Sequence, residues 1–176
     1  TLTVSGCTNE VDFTEGEGAG IVHHLAMQKG NVVLSDCVNH GKIVSFGQNA
    51  AGILCYTTNM GNDWNLELEN CENTGDISSE VEAGGIACFT AYYKTEENAN
   101  TSFAIRNCKN SGNLFSPTTN GYMGGILAVD GFMLTKTEID GCENSGNVSF
   151  TKQWSMGEAD LQTENDEGEK EDASLF

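Results

Sequence analysis

At 176 residues, with 26 acidic side chains against 8 basic ones, the chain carries a formal charge of −18. That balance excludes nucleic acid as a partner, because neutralising phosphates requires clustered Lys and Arg. No apolar run approaches the roughly 18 residues of a membrane helix, so no membrane insertion is expected in this segment, and seven cysteines, an odd number, rule out a fully disulfide-paired framework within one chain.

Glycine is common, at 21 residues, and Pro117 is the single proline. Many short strands joined by tight turns fit that usage, since glycine tolerates positive φ and proline would delete a ladder donor. The opening at Thr1, with no leader-like segment, reads as a slice of a longer repetitive chain.

The predicted elements repeat. A first coil, near 2–31, opens on LTVSGCTNEVDF around Cys7 and Asn9 and continues into GAGIVHH with Ile21. The second, near 32–65, restates it as VVLSDCVNHGKIVSF, with Cys37 and Asn39, followed by AAGILCY with Ile53. In the third, near 66–102, LELENCENTGDISS carries Cys71 and Asn73, and AGGIACF carries Ile86. FAIRNCKNSGNLFS and MGGILAV give the fourth, near 103–136, its Cys108, Asn110 and Ile126. TEIDGCENSGNVSF, with Cys142 and Asn144, begins a fifth over 137–156, where QWSMGEADLQ is a degenerate copy or a cap containing Trp154 and Met156. The repeat domain thus covers 1–156, and an acidic tail or linker covers 157–176, in which eight acids face Lys170 alone.

Within each first element the pattern has period two, the mark of a strand. Counting from the cysteine, positions 0, +2, +4 and +6 hold Cys, Asn, Gly and an apolar residue such as Ile43, Ile77, Leu114 or Val148, and all four are expected to face inward. Upstream, Val32 and Leu34, Leu66 and Leu68, and Phe103 and Ile105 sit five and three places before their cysteines. The change of parity between −3 and 0 predicts a bulge or bend. Glycine at +4 is expected to supply a corner conformation denied to residues with a Cβ. Val11 stands there in the first coil, whose corner should differ.

Stacked in register, parallel coils turn each position into a ladder about 4.8 Å per step. The fold expected is a right-handed parallel β-helix of about five coils, each with two fixed strands and variable loops. Its Asn ladder would satisfy itself, each carboxamide donating to the next. The alternation of I-x-N-C-x-N-x-G-x-I with G-G-I-x resembles the GLUG-type and related Asn/Cys/Gly repeats of bacterial cell-surface proteins. The resemblance covers residues 2 to about 150 and implies a parallel β-helix at a bacterial surface or in the extracellular space. Such repeats serve as scaffolds in proteins of many kinds.

Several rows carry residues with candidate chemistry. The cysteine ladder reads as buried, inert thiols, because a line of ligands does not converge tetrahedrally on a metal. The same geometry disfavours a metal at His23, Cys55 and Cys88, which share a row with Ala128. On the opposite parity His24, Tyr56, Phe89 and Val129 are expected to point outward. With Trp64, Tyr92, Tyr93 and Tyr122 from neighbouring loops, Tyr56 and Phe89 form the candidate ligand-binding set, suited to stacking on sugar rings; the alternative is that long loops cover them. Acids at Asp12, Glu15, Glu17, Glu80 and Glu82 could hold Ca²⁺, but no repeat offers the G-G-x-G-x-D spacing of calcium-binding β-rolls, so solvated acidic loops are the favoured reading. No catalytic residue and no cofactor are assigned. Arg106 is the single arginine, and Asp36, Glu69 and Asp140 fall at unequal positions, a poor basis for a lyase or hydrolase. The function expected is a non-catalytic scaffold or adhesin-like module binding a glycan or a host or matrix protein. A spacer or fibre subunit and a carbohydrate-active enzyme are the alternatives.

Overall fold

The computed structural model describes residues 1–47, 49–58, 60–61, 63–90, 100–118, 121–130 and 136–151, together with strand segments at 162–164 and 170–172. The described residues form an all-β solenoid of parallel sheets, four full turns followed by part of a fifth. The second, third and fourth turns each contribute five short strands, and the first contributes four, where the sequence suggested two. Sheet A stacks Leu2–Ser5, Lys29–Ser35, Asp63–Glu69, Asn100–Arg106 and Lys136–Asp140; sheet B stacks Thr8–Asn9, Val38–Asn39, Glu72–Asn73, Lys109–Asn110 and Glu143–Asn144. Sheet C holds Ile43–Ser45, Ile77–Ser79, Leu114–Ser116 and Val148–Phe150, joined by a bridge from Phe13 to Ile43. Gly18–Ala19, Asn49–Ala51, Glu82–Gly84 and Tyr122–Gly124 make sheet D; Val22–Ala26, Leu54–Thr58, Ala87–Thr90 and Leu127–Asp130 make sheet E. The tail segments Gln162–Glu164 and Lys170–Asp172 pair antiparallel with each other.

The predicted bend has a specific cause. Directly before the five cysteines stand Gly6, Asp36, Asn70, Asn107 and Gly141, all at φ between 52° and 64°. Only glycine and short Asx side chains enter this left-handed region cheaply. Each ends a strand of sheet A and turns the chain into sheet B. The carbonyl two residues before each of the later four cysteines then accepts a backbone N–H from the preceding coil, as Ser35 O does from Gly6 N and Glu69 O from Asp36 N, both at 3.0 Å. It also receives the cysteine S–H, at 3.2 Å for Cys37 and 3.4 Å for Cys71.

Asparagine does the work that sets the register. The Nδ2 of Asn9 donates to Asn39 Oδ1, Asn39 to Asn73, Asn73 to Asn110 and Asn110 to Asn144, each at 2.7 Å. Its second hydrogen goes to the carbonyl two residues on, Gly41, Gly75, Gly112 and Gly146 in the later coils, at 2.8 to 3.0 Å. These +4 glycines do not adopt positive φ, contrary to the expected corner role. They are glycines because a Cβ on Gly75 would collide with Gly41 O, one on Gly112 with Gly75 O, and one on Gly146 with Gly112 O.

A second glycine stripe faces the same ladder across the interior. A Cβ on Gly20, Gly52, Gly85 or Gly125, each just before the repeat isoleucine, would strike Asn39, Asn73, Asn110 or Asn144 respectively. The C-x-N-x-G and G-I motifs are therefore two sides of one contact.

The apolar core lies beside this seam. Val32, Leu66 and Phe103 stack in one row of sheet A, and Leu34, Leu68 and Ile105 in another, opposite Ile53 and Ile86. Each such side chain contributes roughly 1.5–3 kcal/mol by leaving water. Burial fades at the ends of the stack, where Leu2 is 53% and Ile139 50% exposed. A smaller cluster of Ile43, Ile77, Leu114, Ala50 and Ala83 fills the angle between sheets C and D.

Two glycine substitutions separate these roles. Gly6→Asn should leave stability nearly unchanged, since Asp36, Asn70 and Asn107 already occupy the equivalent corner. Gly75→Ala should cost about 3 kcal/mol or more by forcing the coils apart. Urea unfolding of both variants checks this; equal costs would contradict it.

Candidate functional site

Most of the chemistry-bearing residues are consumed by the stack. Cys37, Cys71 and Cys108 are fully buried in the main core, whereas Cys7 is exposed and Cys142 half-exposed in the outermost coils. Asn39, Asn73 and Asn110 are likewise buried. Cys55, Cys88 and Ala128 pack against Ala51 in a separate buried cluster between sheets D and E. Cys88 Sγ donates to Ala50 O at 3.0 Å.

All seven cysteines are free thiols, and burial controls the chemistry of the inner ones. It pushes Cys55 up to about 12, with the nearby Glu17 carboxylate adding to the shift. Burial likewise raises Cys37 and Cys88. In the Cys71–Cys108 pair, Cys108 is held protonated, by its hydrogen bond with Cys71 first and burial second. A nucleophilic cysteine needs its pKa lowered, so these four thiols are core groups. Among the described residues, no group of three or more His, Cys, Asp or Glu is arranged to hold a metal ion.

His23 heads the row of Cys55 and Cys88 but lies at the surface, where its Nε2 meets Glu17 Oε2 at 3.2 Å. Of the other acids considered for Ca²⁺, Asp12 accepts the Lys42 backbone N–H at 2.8 Å and Glu82 is buried in sheet D.

The expected aromatic set is dispersed. Tyr56 is half-buried on sheet E, its ring centroid 5.4 Å from that of His24 across one coil step. Tyr122 begins its strand of sheet D and is 58% exposed. Phe89 pairs with Val129 in sheet E, but its side chain lies outside the described residues, as do Tyr92, Tyr93, Trp154 and Met156. Trp64 is not a surface aromatic. It belongs to sheet A, is 2% exposed, and donates its indole N–H to Gly61 O at 2.8 Å. Its bulk fits because its neighbour in the preceding coil is Gly30. Extending the period-two pattern of Leu66 and Leu68 two residues upstream would have placed Trp64 inside.

Outer rows vary more than inner ones. One row of sheet A reads Thr3, Val33, Glu67, Ala104, Glu138, and the next Ser5, Ser35, Glu69, Arg106, Asp140. Arg106 lies across the first of these, its Nη1 paired with Glu67 Oε1 and its Nη2 with Glu138 Oε2 at 3.0 Å. Asp36, at a corner, is not part of the carboxylate row that Glu69 and Asp140 share with Arg106. A second, external Asx ladder runs through Asp76, Asn113 and Asn147, at 2.9 to 3.3 Å.

The raised thiols of Cys37, Cys55, Cys88 and Cys108 make stability depend on alkaline pH. Below the ordinary thiol value of 9.0 they are protonated in both states and contribute no pH dependence. Above it the unfolded chain releases protons that the folded chain retains, so stability falls by up to about 1.4 kcal/mol per pH unit for each such thiol. For Cys55 the loss continues until about pH 12. Urea midpoints at pH 8 and pH 10 should therefore separate, and by less in Cys55→Ala; coincident midpoints would contradict the assignment.

Comparison with known proteins agrees on architecture. A solved structure from Bacteroides ovatus, named a putative immunoglobulin A1 protease, aligns with 96% of this chain at a TM-score of 0.58 and 17% identity. At that identity the likeness is one of fold alone. The alignment covers 56% of the other chain, so this chain spans little more than half its length. No family model and no curated protein matches the sequence; what the comparisons support is a β-solenoid.

Proposed function

We propose that the chain is a non-catalytic binding module of a secreted or cell-surface bacterial protein, an adhesin-like scaffold that presents a glycan- or protein-recognising surface. The observation that carries this reading is the contrast between the two sides of the sheets. Inward rows repeat Cys, Asn, Gly and Ile from coil to coil, while outward rows of sheet A vary in size and charge, as from Val33 to Glu67 to Ala104 to Glu138. A rigid frame with a variable exterior is the arrangement that specific recognition requires.

The raised thiol pKa values argue against a cysteine nucleophile among Cys37, Cys55, Cys88 and Cys108. The GLUG-type repeat family is the finer identity we attach to the module, on its Asn/Cys/Gly spacing. The bacterial source of the structural neighbour accords with a bacterial origin. Its protease name, by contrast, belongs to a chain nearly twice as long.

The test is an array of glycans together with host matrix and serum proteins, probed with the labelled chain. Selective capture on a small set of related ligands is expected. Uniform silence would support a spacer or fibre subunit instead, and turnover of any arrayed ligand would point to an enzyme.

A further inference from the structure

The outer face of sheet C holds a groove that the aromatic residues of sheets D and E do not account for. In register across three coils lie Val44, Ser78 and Phe115, so that a small hydroxyl sits between two bulky apolar side chains at steps of about 4.8 Å. The resulting hollow of about 310 Å³ is walled on one side by Lys42, Asp76 and Asn113. Phe115 is 40% exposed there, although its neighbour Leu114 is fully buried.

The polar groups of the groove are not fully spent. Asn113 donates through both its backbone N–H and its Nδ2 to the same oxygen of Asp76, Oδ1, at 2.9 and 3.0 Å. Oδ2 is left for a further donor. Among the described residues the Lys42 ammonium has no carboxylate within ion-pair distance, and the Ser78 hydroxyl has no hydrogen-bond partner.

We propose that this groove is a subsite for one uncharged pyranose unit of a glycan, an inference that rests on the binding-module reading and gives it a location. A pyranose ring has a face of C–H groups and a rim of hydroxyls that both donate and accept. Phe115 supplies a flat apolar wall whose negative face attracts polarised C–H groups. Asp76 Oδ2 accepts from one hydroxyl, Lys42 donates to another, and Ser78 does either. The groove holds one cation and one anion, which matches a neutral ring, and the net charge of −18 repels acidic sugars. An extended peptide is less well served, because Ile77–Ser79 is already paired on both sides and offers no free edge for strand addition.

Neutral hexasaccharides of gluco, manno and xylo configuration, with hexagalacturonate as the anionic counterpart, are titrated into the chain and followed by amide chemical shifts and calorimetry. Ser78→Leu fills the hollow, Phe115→Ala removes its wall, and Lys42→Gln removes its cation. All three change outward side chains, and an unchanged melting temperature confirms that the fold persists. At least one neutral hexasaccharide is expected to bind, with shifts centred on Ser78 and Phe115. Ser78→Leu and Phe115→Ala should each weaken it about ten-fold or more. Binding that survives both variants would overturn the subsite while leaving the module reading in place. Preference for hexagalacturonate, or no binding of any hexasaccharide, would also overturn it; in the latter case capture of a defined protein on the array would still support the module.

Discussion

Each ladder asparagine before the last, Asn144, has two Nδ2 hydrogens and spends both, one on the next asparagine and one on the carbonyl two residues along its own coil. The rest of the solenoid is arranged around that economy. A carboxamide buried without partners would cost about 1–3 kcal/mol, so the coils are stable only in the register that aligns all the asparagines. Sliding one coil by a single residue would place each carboxamide against the wrong neighbour and turn an apolar row toward water. The dipoles also point the same way along the stack, from Asn9 to Asn144, and so reinforce one another.

Glycine follows from the same constraint. The asparagine seam is narrow on both sides: Gly75 lies against the Gly41 carbonyl, and Gly52 lies against Asn73 from across the interior. The cysteines fill the next inward position with a small side chain whose S–H finds the carbonyl turned in by the left-handed corner. Thiols used in this way are packing groups with a weak hydrogen bond; burial raises the pKa of Cys37, and that of Cys108 rises through its hydrogen bond with Cys71, whose own pKa is lowered by the same bond.

Much of this could be read from the spacing of Cys, Asn, Gly and Ile, because a period-two pattern repeated five times has few ways to bury itself. Other parts were hidden for physical reasons. The corner before each cysteine is written as Gly, Asp, Asn, Asn, Gly, a column of residues that tolerate positive φ, yet its meaning depends on seeing that the parity change occurs there. The reason for glycine at +4 is a contact between successive coils, which a single repeat does not contain. Sheets B, C and D have strands of two or three residues, too short for alternation to register. Trp64 looked available to ligands because aromatics near loops often are; its place opposite Gly30 depends on the pairing of two coils. The groove beside Ser78 is likewise a property of three coils, since it exists only where Val44 and Phe115 flank the smaller residue.

A frame of this kind separates stability from recognition. Inner rows are held by the register, while outer rows such as Val44, Ser78 and Phe115 are free to differ without disturbing it. The central claim concerns the side-chain amides themselves, and their hydrogen exchange measured by NMR tests it most directly. The Nδ2 protons of Asn39, Asn73 and Asn110 should exchange far more slowly than those of Asn144, which is exposed and donates only to Gly146 O. Equally fast exchange at all four would show that the ladder does not hold the coils together.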